Sequence, residues 1–385
     1  MRKSLSRCTA VAAAVAAVLV SSGASALDLS GAGFVTYGDT QSYALALLNE
    51  QLTGSNNPGD KYYVNSTPGA IKNLVVVATG ASGTGVTTNV LGMDNAYATP
   101  SGKNGSAFFS TNTSSINTPN PNGAPIVGNL STTWDSSVSA MLGFLAGQSP
   151  IFFFNNNQIN SGAASLQSLA AYAQAWITTP DGTTIYNPNG GTGVFDFTNR
   201  DSAYDVVPNG GGVPDGSVGA YSNVGGVKPP IAGDNTATDY VLSGGQLCVD
   251  SVGNFVPCSG AFFLKVNNNL GANQAAYALV VPELNAELAA LATLASGGTD
   301  VSGYTLHLDI WLGCDPSIPA DEIKTTCNGQ PYGRSLNNGY EQVFIGTATT
   351  VIQVPEPGTL LLLGLGLAGI GFVAYRRKVA NGRND

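Results

Sequence analysis

Two apolar segments, one near each end of the chain, most constrain what this sequence can fold into. Residues 9–20 follow a basic start, and residues 360–375 precede a basic cluster. Apolar runs with basic flanks are typical of segments that enter a membrane. A globular body must therefore be built from the roughly 330 residues between them.

Residues 1–26 predict a secretory signal peptide. A basic n-region leads into the apolar run, and small residues then close the segment as Ala24-Ser25-Ala26. Small side chains at Ala24 and Ala26 suit the signal-peptidase pocket, so cleavage is predicted after Ala26. The apolar run is short for a permanent span. We therefore expect export of the body across the inner membrane.

Residues 360–375 predict a single C-terminal transmembrane helix. Sixteen residues give about 24 Å of helix, against a hydrocarbon core of about 30 Å. Flanking residues Thr359, Tyr375 and Arg376 would make up the difference, or the bilayer would thin locally. Arg376, Arg377 and Lys378 are predicted to stay on the cytoplasmic side, followed by a cytoplasmic tail at residues 379–385.

Pro355-Glu356-Pro357 stands just before the apolar segment. With the apolar helix and the basic cluster, residues 354–378 resemble the PEP-CTERM sorting domain. The resemblance implies an exosortase-type enzyme as a partner, and a Gram-negative bacterium that makes exopolysaccharide and biofilm. It also implies a transient membrane anchor, followed by delivery to the cell surface or the extracellular space. The resemblance covers the tail alone and implies nothing about the fold of the body.

The net charge of the body disfavours nucleic acid as a partner. Charged residues make up 10% of the chain, and the hydrophobic fraction of 43% is high enough for a buried core. Of the 24 acidic residues 22 lie in residues 27–354, with only 8 of the 15 basic ones. A net charge of about −14 disfavours nucleic acid as a partner.

Cysteines predict disulfides rather than a metal site. Four remain after signal removal, and an even number in an exported chain is typical of disulfide pairing: Cys248, Cys258, Cys314 and Cys327. Three connectivities are open, and we favour the two local pairs. A short hairpin around Gly253-Asn254 would place Cys248 opposite Cys258. With a single histidine and no Cys-x-x-Cys pair, no metal site is predicted.

Patterning predicts an α+β fold with a strand-rich body, a few helices and long Gly/Asn/Ser/Thr loops. The predicted strands are 71–78, 151–154, 184–186, 261–266, 304–312 and 342–352. The predicted helices are 43–52, 136–146, 164–177 and 284–295. The loop before residue 240 is a candidate boundary between a first part, 27–240, and a disulfide-bearing part, 241–353, with a single domain as the alternative.

Three groups of residues are weighed as sites. The first pairs His307 with Asp309 on one face of a strand, and we expect a surface-facing polar pair. The second is an acidic loop that suits glycoside hydrolysis or Ca²⁺ binding; its members are Asp196, Asp201, Asp205 and Asp215. The third is aromatic, either a sugar platform or buried strands: Trp134, Phe152, Phe153, Phe154, Trp176 and Trp311.

No catalytic residue is assigned, because none of these groups forms a recognisable catalytic motif. The favoured prediction is a non-catalytic surface or matrix protein associated with exopolysaccharide, without a cofactor. An exported polysaccharide hydrolase that uses loop carboxylates is one alternative. A Ca²⁺-stabilised adhesin is the other.

Overall fold

The computed structural model describes residues 26–37, 39–80, 89–100, 109–111, 125–155, 171–188, 190, 192–197, 246–251, 261–267, 270–312 and 341–348. Its strands are, in chain order, β1 Val35–Tyr37, β2 Thr40–Ala44, β3 Val75–Thr79, β4 Tyr97–Ala98, β5 Phe109–Ser110, β6 Trp134–Ser137, β7 Ser149–Asn155, β8 Ala171–Thr178, β9 Val194–Asp196, β10 Gln246–Val249, β11 Leu264–Asn267, β12 Ala275–Val280, β13 Thr305–Leu312 and β14 Gln342–Ala348. Its helices are α1 Leu45–Thr53, α2 Pro68–Ile71, α3 Val138–Leu145 and α4 Pro282–Ser296, with a 3₁₀ turn at Gly271–Asn273.

Two sheets carry most of these strands. Seven strands form the larger sheet in the order β1-β2-β12-β7-β14-β3-β4. In the smaller sheet the order is β5-β13-β8-β9, and β6 pairs with β13 beside β5. The hairpin of β10 and β11 stands apart. A strand-rich body with few helices confirms the predicted α+β class.

The larger sheet is buried on both faces. On β7, Phe152 and Phe154 belong to one apolar cluster, while Ile151 and Phe153 belong to a second. The first cluster also contains Leu306, Leu308, Ile310 and Leu312 of β13, together with apolar residues of β8, α3 and α4. Alternating side chains point to opposite faces of a strand, so β7 and β13 follow the alternation that their sequences predict.

The sheets join strands from both sides of residue 240. Strands β12 and β14 flank β7 in the larger sheet, and β13 lies between β6 and β8 in the smaller one. Strands that share hydrogen-bonded ladders share one core. The described strands from the two sides of residue 240 therefore belong to the same two sheets, and the boundary near residue 240 stays a prediction.

One predicted helix is wrong. Residues 171–177 fall in β8, a strand, and the remaining residues of that prediction lie outside the described part. The segment carries apolar side chains at both helical and alternating spacing. Pairing with β13 on one side and β9 on the other selects the alternating set, which buries Ala173, Ala175 and Ile177.

Other predictions are confirmed with shifted ends. Helix α4 matches the prediction of 284–295, and α3 matches that of 136–146. Residues 40–44 form a strand before α1 begins, whereas the sequence placed Tyr43 and Ala44 in the helix. The predicted strand 184–186 is reduced to one bridge between Ile185 and Thr178.

The membrane segment is not among these elements. Within the described ranges, no helix has both the length and the hydrophobicity that crossing a membrane needs. Residues 1–25 and 349–385 lie outside the described ranges. The signal peptide and the C-terminal transmembrane helix therefore stay predictions.

Candidate functional site

His307 is the centre of a buried polar network. Its Nδ1 lies 2.9 Å from Asp135 Oδ1, and its Nε2 lies 2.9 Å from Thr178 Oγ1. His307 and Asp135 are fully buried, and Thr178 is 4% exposed. The three side chains form a continuous chain of carboxylate, imidazole and hydroxyl.

Strand pairing brings these residues together from distant parts of the chain. β13 places His307 opposite Asp135 of β6 on one side and opposite Trp176 of β8 on the other. Thr178 lies two residues beyond Trp176, on the same face of β8. The Trp176 ring stacks on the face of the imidazole, with 5.3 Å between the ring centroids. This contact helps to fix the orientation of the His307 ring.

Asp135 accepts hydrogen bonds from several directions. Thr133 Oγ1 and the backbone N–H of Leu130 each donate to its carboxylate at 2.5 Å, besides the contact with His307. Buried carboxylates are stabilised only when such donors surround them. The side chain of Asp135 therefore ties the 130–133 segment to the strand that carries His307.

A second carboxyl stands behind the first. Asp94 Oδ2 accepts the backbone N–H of Asp135 at 3.0 Å, while Asp94 Oδ1 has no hydrogen-bond partner among the described residues. Its carbonyl oxygen accepts from Trp134 Nε1 and Asn89 Nδ2. Burial, together with the nearby charge of Asp135, raises the pKa of Asp94 to about 7.

The order of groups matches a nucleophilic triad, but its placement does not. In such a triad a carboxylate orients an imidazole that activates a hydroxyl. A catalytic base must also come within hydrogen-bond distance of its substrate. With His307 and Asp135 fully enclosed, this network is suited to joining three strands rather than to receiving a substrate.

The expected surface pair of His307 and Asp309 is wrong. Thr111 Oγ1 and Trp311 Nε1 donate to Asp309 Oδ1 at 2.8 and 2.7 Å, and His307 binds Asp135 instead. The outer face of β13 is covered at Thr305 and His307, whereas Asp309 and Trp311 are half-buried. Part of that cover is the segment 126–130, where the carbonyl of Val127 accepts from Thr305 Oγ1 at 2.6 Å.

Two glycines allow the segment 126–130 to approach the backbone at Gly182 closely. Gly128 and Gly182 have φ of +68° and +72°, and a Cβ on Gly128 would lie 2.6 Å from both the Cα and the carbonyl oxygen of Gly182. Left-handed φ angles already favour glycine. Backbone atoms, unlike the end of a flexible side chain, cannot move aside cheaply.

Gly128→Ala is therefore expected to lower the free energy of unfolding by about 2–4 kcal/mol. The matched control is Gly147→Ala, because Gly147 also has a positive φ of +86° but no atom of the described residues lies within 4 Å of its added Cβ. That control is expected to cost about 1 kcal/mol. Urea unfolding of both variants is the measurement, and equal losses would contradict the close approach.

The six aromatic residues weighed as a sugar platform fall into a buried set and a half-buried set. Phe152, Phe153 and Phe154 are buried in β7, which confirms the buried-strand interpretation, and Trp134 is fully buried in β6. These four rings are therefore not a sugar platform. Trp176 and Trp311 are half-buried.

The acidic group is only partly described. The backbone of Asp196 ends β9, opposite Gln174 of β8. Asp201, Asp205 and Asp215 lie outside the described residues. In the described part of the chain, no three His, Cys, Asp or Glu side chains form a group that could hold a metal ion.

Among the cysteines, Cys248 alone lies in the described part. It lies in β10 opposite Lys265 of β11, whereas the sequence predicts a shorter hairpin that would place it opposite Cys258. Cys258, Cys314 and Cys327 lie outside the described residues. Both disulfides therefore stay predictions.

The sorting residues also lie outside the described part: Ala24, Pro355, Glu356, Pro357, Arg376, Arg377 and Lys378. Ala26 is the first residue described. The buried network was missed at the sequence level. Polar residues spaced by more than 100 positions carry no local signal of their contact.

Comparison with known families matches most of the chain in two parts. The family model described as "Domain of unknown function (DUF8239)" matches residues 26–311. The model described as "PEP-CTERM protein-sorting motif" matches residues 353–378, which confirms the resemblance of the tail. No curated protein and no solved structure matches the chain.

Proposed function

Because the chain belongs to the family described as a domain of unknown function (DUF8239) and ends in a PEP-CTERM sorting motif, we propose that it is a non-catalytic surface or matrix protein associated with exopolysaccharide. The motif implies export, membrane-associated sorting and processing by an exosortase-type enzyme. Delivery to a Gram-negative cell surface or biofilm, with a signal peptidase acting first, is part of the proposal.

The sorting tail is the observation that carries the proposal. It supplies an address that is useful only if the body acts outside the cytoplasm. The net charge of about −14 over residues 27–354 supports an acidic, exterior protein that does not bind nucleic acid. Two disulfides would suit the same oxidising compartment.

The enclosed network supports a non-catalytic body. His307 is the single histidine of the chain, and its partners in the network use both ring nitrogens. Neither nitrogen faces solvent. The proposed role requires no cofactor, and Ca²⁺ binding by the loop acids stays a prediction.

Changing Pro355, Glu356 and Pro357 together to alanine is expected to stop tail processing. The protein would then stay in the membrane fraction at its full length, because the apolar segment 360–375 and its basic flank remain. Fractionation and immunoblotting of the native host check this.

The matched control replaces the same residue types elsewhere in the chain. Changing Pro316, Pro319 and Glu322 together to alanine also removes two prolines and one glutamate, and it leaves the motif intact. This control is expected to be processed and delivered normally. Normal surface delivery of the motif variant as well would overturn the sorting role.

Extraction of the exopolysaccharide tests the second half of the proposal. The processed body is expected to co-extract with the polymer and to leave it unchanged in length. Shortening of the polymer by the purified body would favour the hydrolase alternative instead.

A further inference from the structure

The outer face of the smaller sheet is only partly covered. On β13 and β8 one set of alternating side chains packs into the core, and the other set points away from it. The segment 126–130 covers this outer face at Thr305, and Thr178 and His307 are buried beside it. Further along the same face, four side chains are half-buried and accessible to solvent; we call them the outer strip: Gln174, Trp176, Asp309 and Trp311.

The register between β8 and β13 fixes the spacing of the outer strip. Trp176 of β8 lies opposite His307 of β13. Gln174 lies opposite Asp309, two positions further along β13, and Trp311 follows after two more positions. The two tryptophans are therefore about 13 Å apart along the strands and about 4.8 Å apart across them. An aromatic residue lies at each end of the outer strip, with a polar pair between them.

Contacts on the sheet hold both indole rings in place. Trp176 stacks on the buried imidazole of His307, with an angle of 21° between the ring planes. Trp311 Nε1 donates a hydrogen bond to Asp309 Oδ1 at 2.7 Å, and Thr111 Oγ1 donates to the same oxygen at 2.8 Å. A side chain that is already held loses little conformational freedom when a ligand binds, which favours both rings as contact surfaces.

The side chains of the outer strip favour a carbohydrate. Indole rings are large, rigid apolar surfaces, and they suit the C–H face of a hexose ring. The amide of Gln174 both donates and accepts hydrogen bonds, and the carboxylate of Asp309 accepts them, so the pair suits sugar hydroxyl groups. Aromatic surface with a few polar groups close by is the common lining of a ligand site.

Charge and spacing indicate which carbohydrates fit. The outer strip contains a carboxylate and no basic side chain, and the net charge of about −14 over residues 27–354 repels an anionic polymer. The two rings are further apart than a disaccharide can span. A straight chain of β-1,4-linked hexoses presents apolar ring faces at regular intervals, whereas a coiled chain does not. A neutral, extended polysaccharide therefore meets both requirements.

We infer that the outer strip is a binding site for a neutral, extended polysaccharide chain that lies across β8 and β13. Trp176 and Trp311 stack on two separate sugar rings of the chain, and Gln174 and Asp309 bind hydroxyl groups between them. The inference rests on the proposed association with exopolysaccharide and names the class of polymer. It also gives the buried His307 a role, since the imidazole supports the ring of Trp176.

Calorimetry with matched oligosaccharides tests the site. The processed protein from the host is titrated with cellohexaose, which is neutral and extended. Three comparison ligands each change one property: maltohexaose coils, a hexamer of galacturonic acid is anionic, and cellobiose is too short to contact both rings. We expect cellohexaose to bind roughly tenfold or more tightly than each of them. No binding of cellohexaose, or equal binding of maltohexaose, would overturn the inference.

Tryptophan fluorescence locates the ligand without any substitution. The chain has three tryptophans, and Trp134 is fully buried, so Trp176 and Trp311 are the ones that a ligand on the outer strip can contact. Cellohexaose is expected to shift the emission to shorter wavelength and to protect the rings from quenching by acrylamide. Binding without either change would place the ligand elsewhere and overturn the site.

Substitutions assign the binding to particular residues. Trp176→Ala and Trp311→Ala are each expected to weaken binding of cellohexaose by roughly tenfold or more, and Gln174→Ala by roughly threefold. The matched control is Phe263→Ala, because Phe263 is an aromatic residue that is 74% exposed and lies just before β11, outside the smaller sheet. The control is expected to bind as the unmodified protein does. Equal losses in the control and the tryptophan variants would overturn the site.

Thermal melting checks the folding of each variant. Trp176→Ala removes a ring that packs on His307, so this variant is expected to be the least stable. If it does not fold, Trp176→Phe takes its place, because the smaller ring still packs on the imidazole; it is expected to weaken binding by roughly threefold. Unchanged binding in folded Trp311→Ala would overturn the site whatever the result at Trp176.

The outcomes distinguish the two proposals. If the body co-extracts with exopolysaccharide but does not bind cellohexaose through Trp176 and Trp311, the outer-strip site fails and the surface role stands. If it fails to co-extract yet binds cellohexaose through both tryptophans, the site stands and the matrix role fails.

Discussion

Asp135→Ala is expected to lower the free energy of unfolding by about 3–5 kcal/mol. The substitution removes the acceptor for Thr133, for the backbone N–H of Leu130 and for His307. All of these donors would be left in a region where Asp135 and His307 are fully buried. Water cannot replace the lost contacts without opening the sheet, so the full desolvation cost is felt. Urea unfolding monitored by Trp fluorescence is the measurement.

Asp181→Ala is the matched control for that result. Asp181 also accepts from several groups, the hydroxyls of Thr179 and Thr184 and two backbone N–H groups, but it is exposed. Water can take over each of those contacts, so a much smaller loss is expected. Asp135→Asn keeps one acceptor oxygen and should fall between the two. A loss in Asp135→Ala no larger than that in the control would show that the network does not stabilise the fold.

The second large effect is a fall in stability as pH rises. Burial raises the pKa of four described carboxyls, three of them strongly: Asp94 and Glu287 to about 7 and Glu341 to about 8, with Glu283 as the fourth and Asp135 adding to the shift at Asp94. The pKa values of the same carboxyls in the unfolded chain lie near 4. At a pH between the unfolded and the folded pKa values, the folded protein binds more protons than the unfolded chain. Stability therefore falls with increasing pH across that window.

The window follows from the same values. Asp94, Glu287 and Glu341 all lower the stability as pH rises from about 4.5 to 7, and Glu341 continues to lower it up to about pH 8. We expect the free energy of unfolding to drop by about 2–5 kcal/mol between pH 5 and 8.5, after allowance for screening. Below about pH 4 the protein loses stability again, because hydrogen bonds to exposed Asp181 and Asp300 lower their pKa values.

Chemical denaturation at several pH values measures this curve. Glu341→Gln should flatten it between about pH 7 and 8, and the triple variant with Asp94→Asn and Glu287→Gln should remove most of the slope. Asp300→Asn changes an exposed carboxyl and should leave the slope above pH 5 as it was. A stability that rises from pH 5 to 8 in the unmodified protein would contradict the raised pKa values.

The local pattern of apolar residues predicted those elements whose spacing fits a helix or a strand, but not both. In α4, apolar residues recur at helical spacing after Pro282, a residue suited to a helix start, and the helix begins there. In β13, four apolar side chains alternate, and all four face the core. Such patterns need no knowledge of the partner, since burial of one face is enough.

Prediction from the local pattern failed where the neighbouring strand determines the structure. In β8 the apolar side chains suit two spacings, and pairing with β13 and β9 selects the strand. His307 looked solvent-facing because alternation alone cannot show that the other face of β13 is covered. Its contacts Asp135 and Thr178 are 172 and 129 residues away. Only the order of strands in the sheet makes them neighbours.

The tail shows a third case, in which no fold needs to be known. A sorting enzyme reads a short linear segment, so three consecutive residues and their flanks were sufficient to identify it. Glu287 shows a different limit. Its spacing of three residues from Leu284 and four from Leu291 places it on the apolar face of α4, but the pattern alone does not show that this face encloses a carboxyl as fully as the structure does.

One bridge at the end of β14 has a mechanical consequence. The N–H of Leu27 donates to the carbonyl of Thr347 at 3.0 Å, and Leu27 pairs with Ala348 at the end of β14. The predicted new N-terminus and the start of the tail therefore leave the body at one point. Residues 349–354 can span at most about 20 Å before the sorting motif. We therefore expect the predicted signal-cleavage site and the sorting motif to lie on the same side of the body.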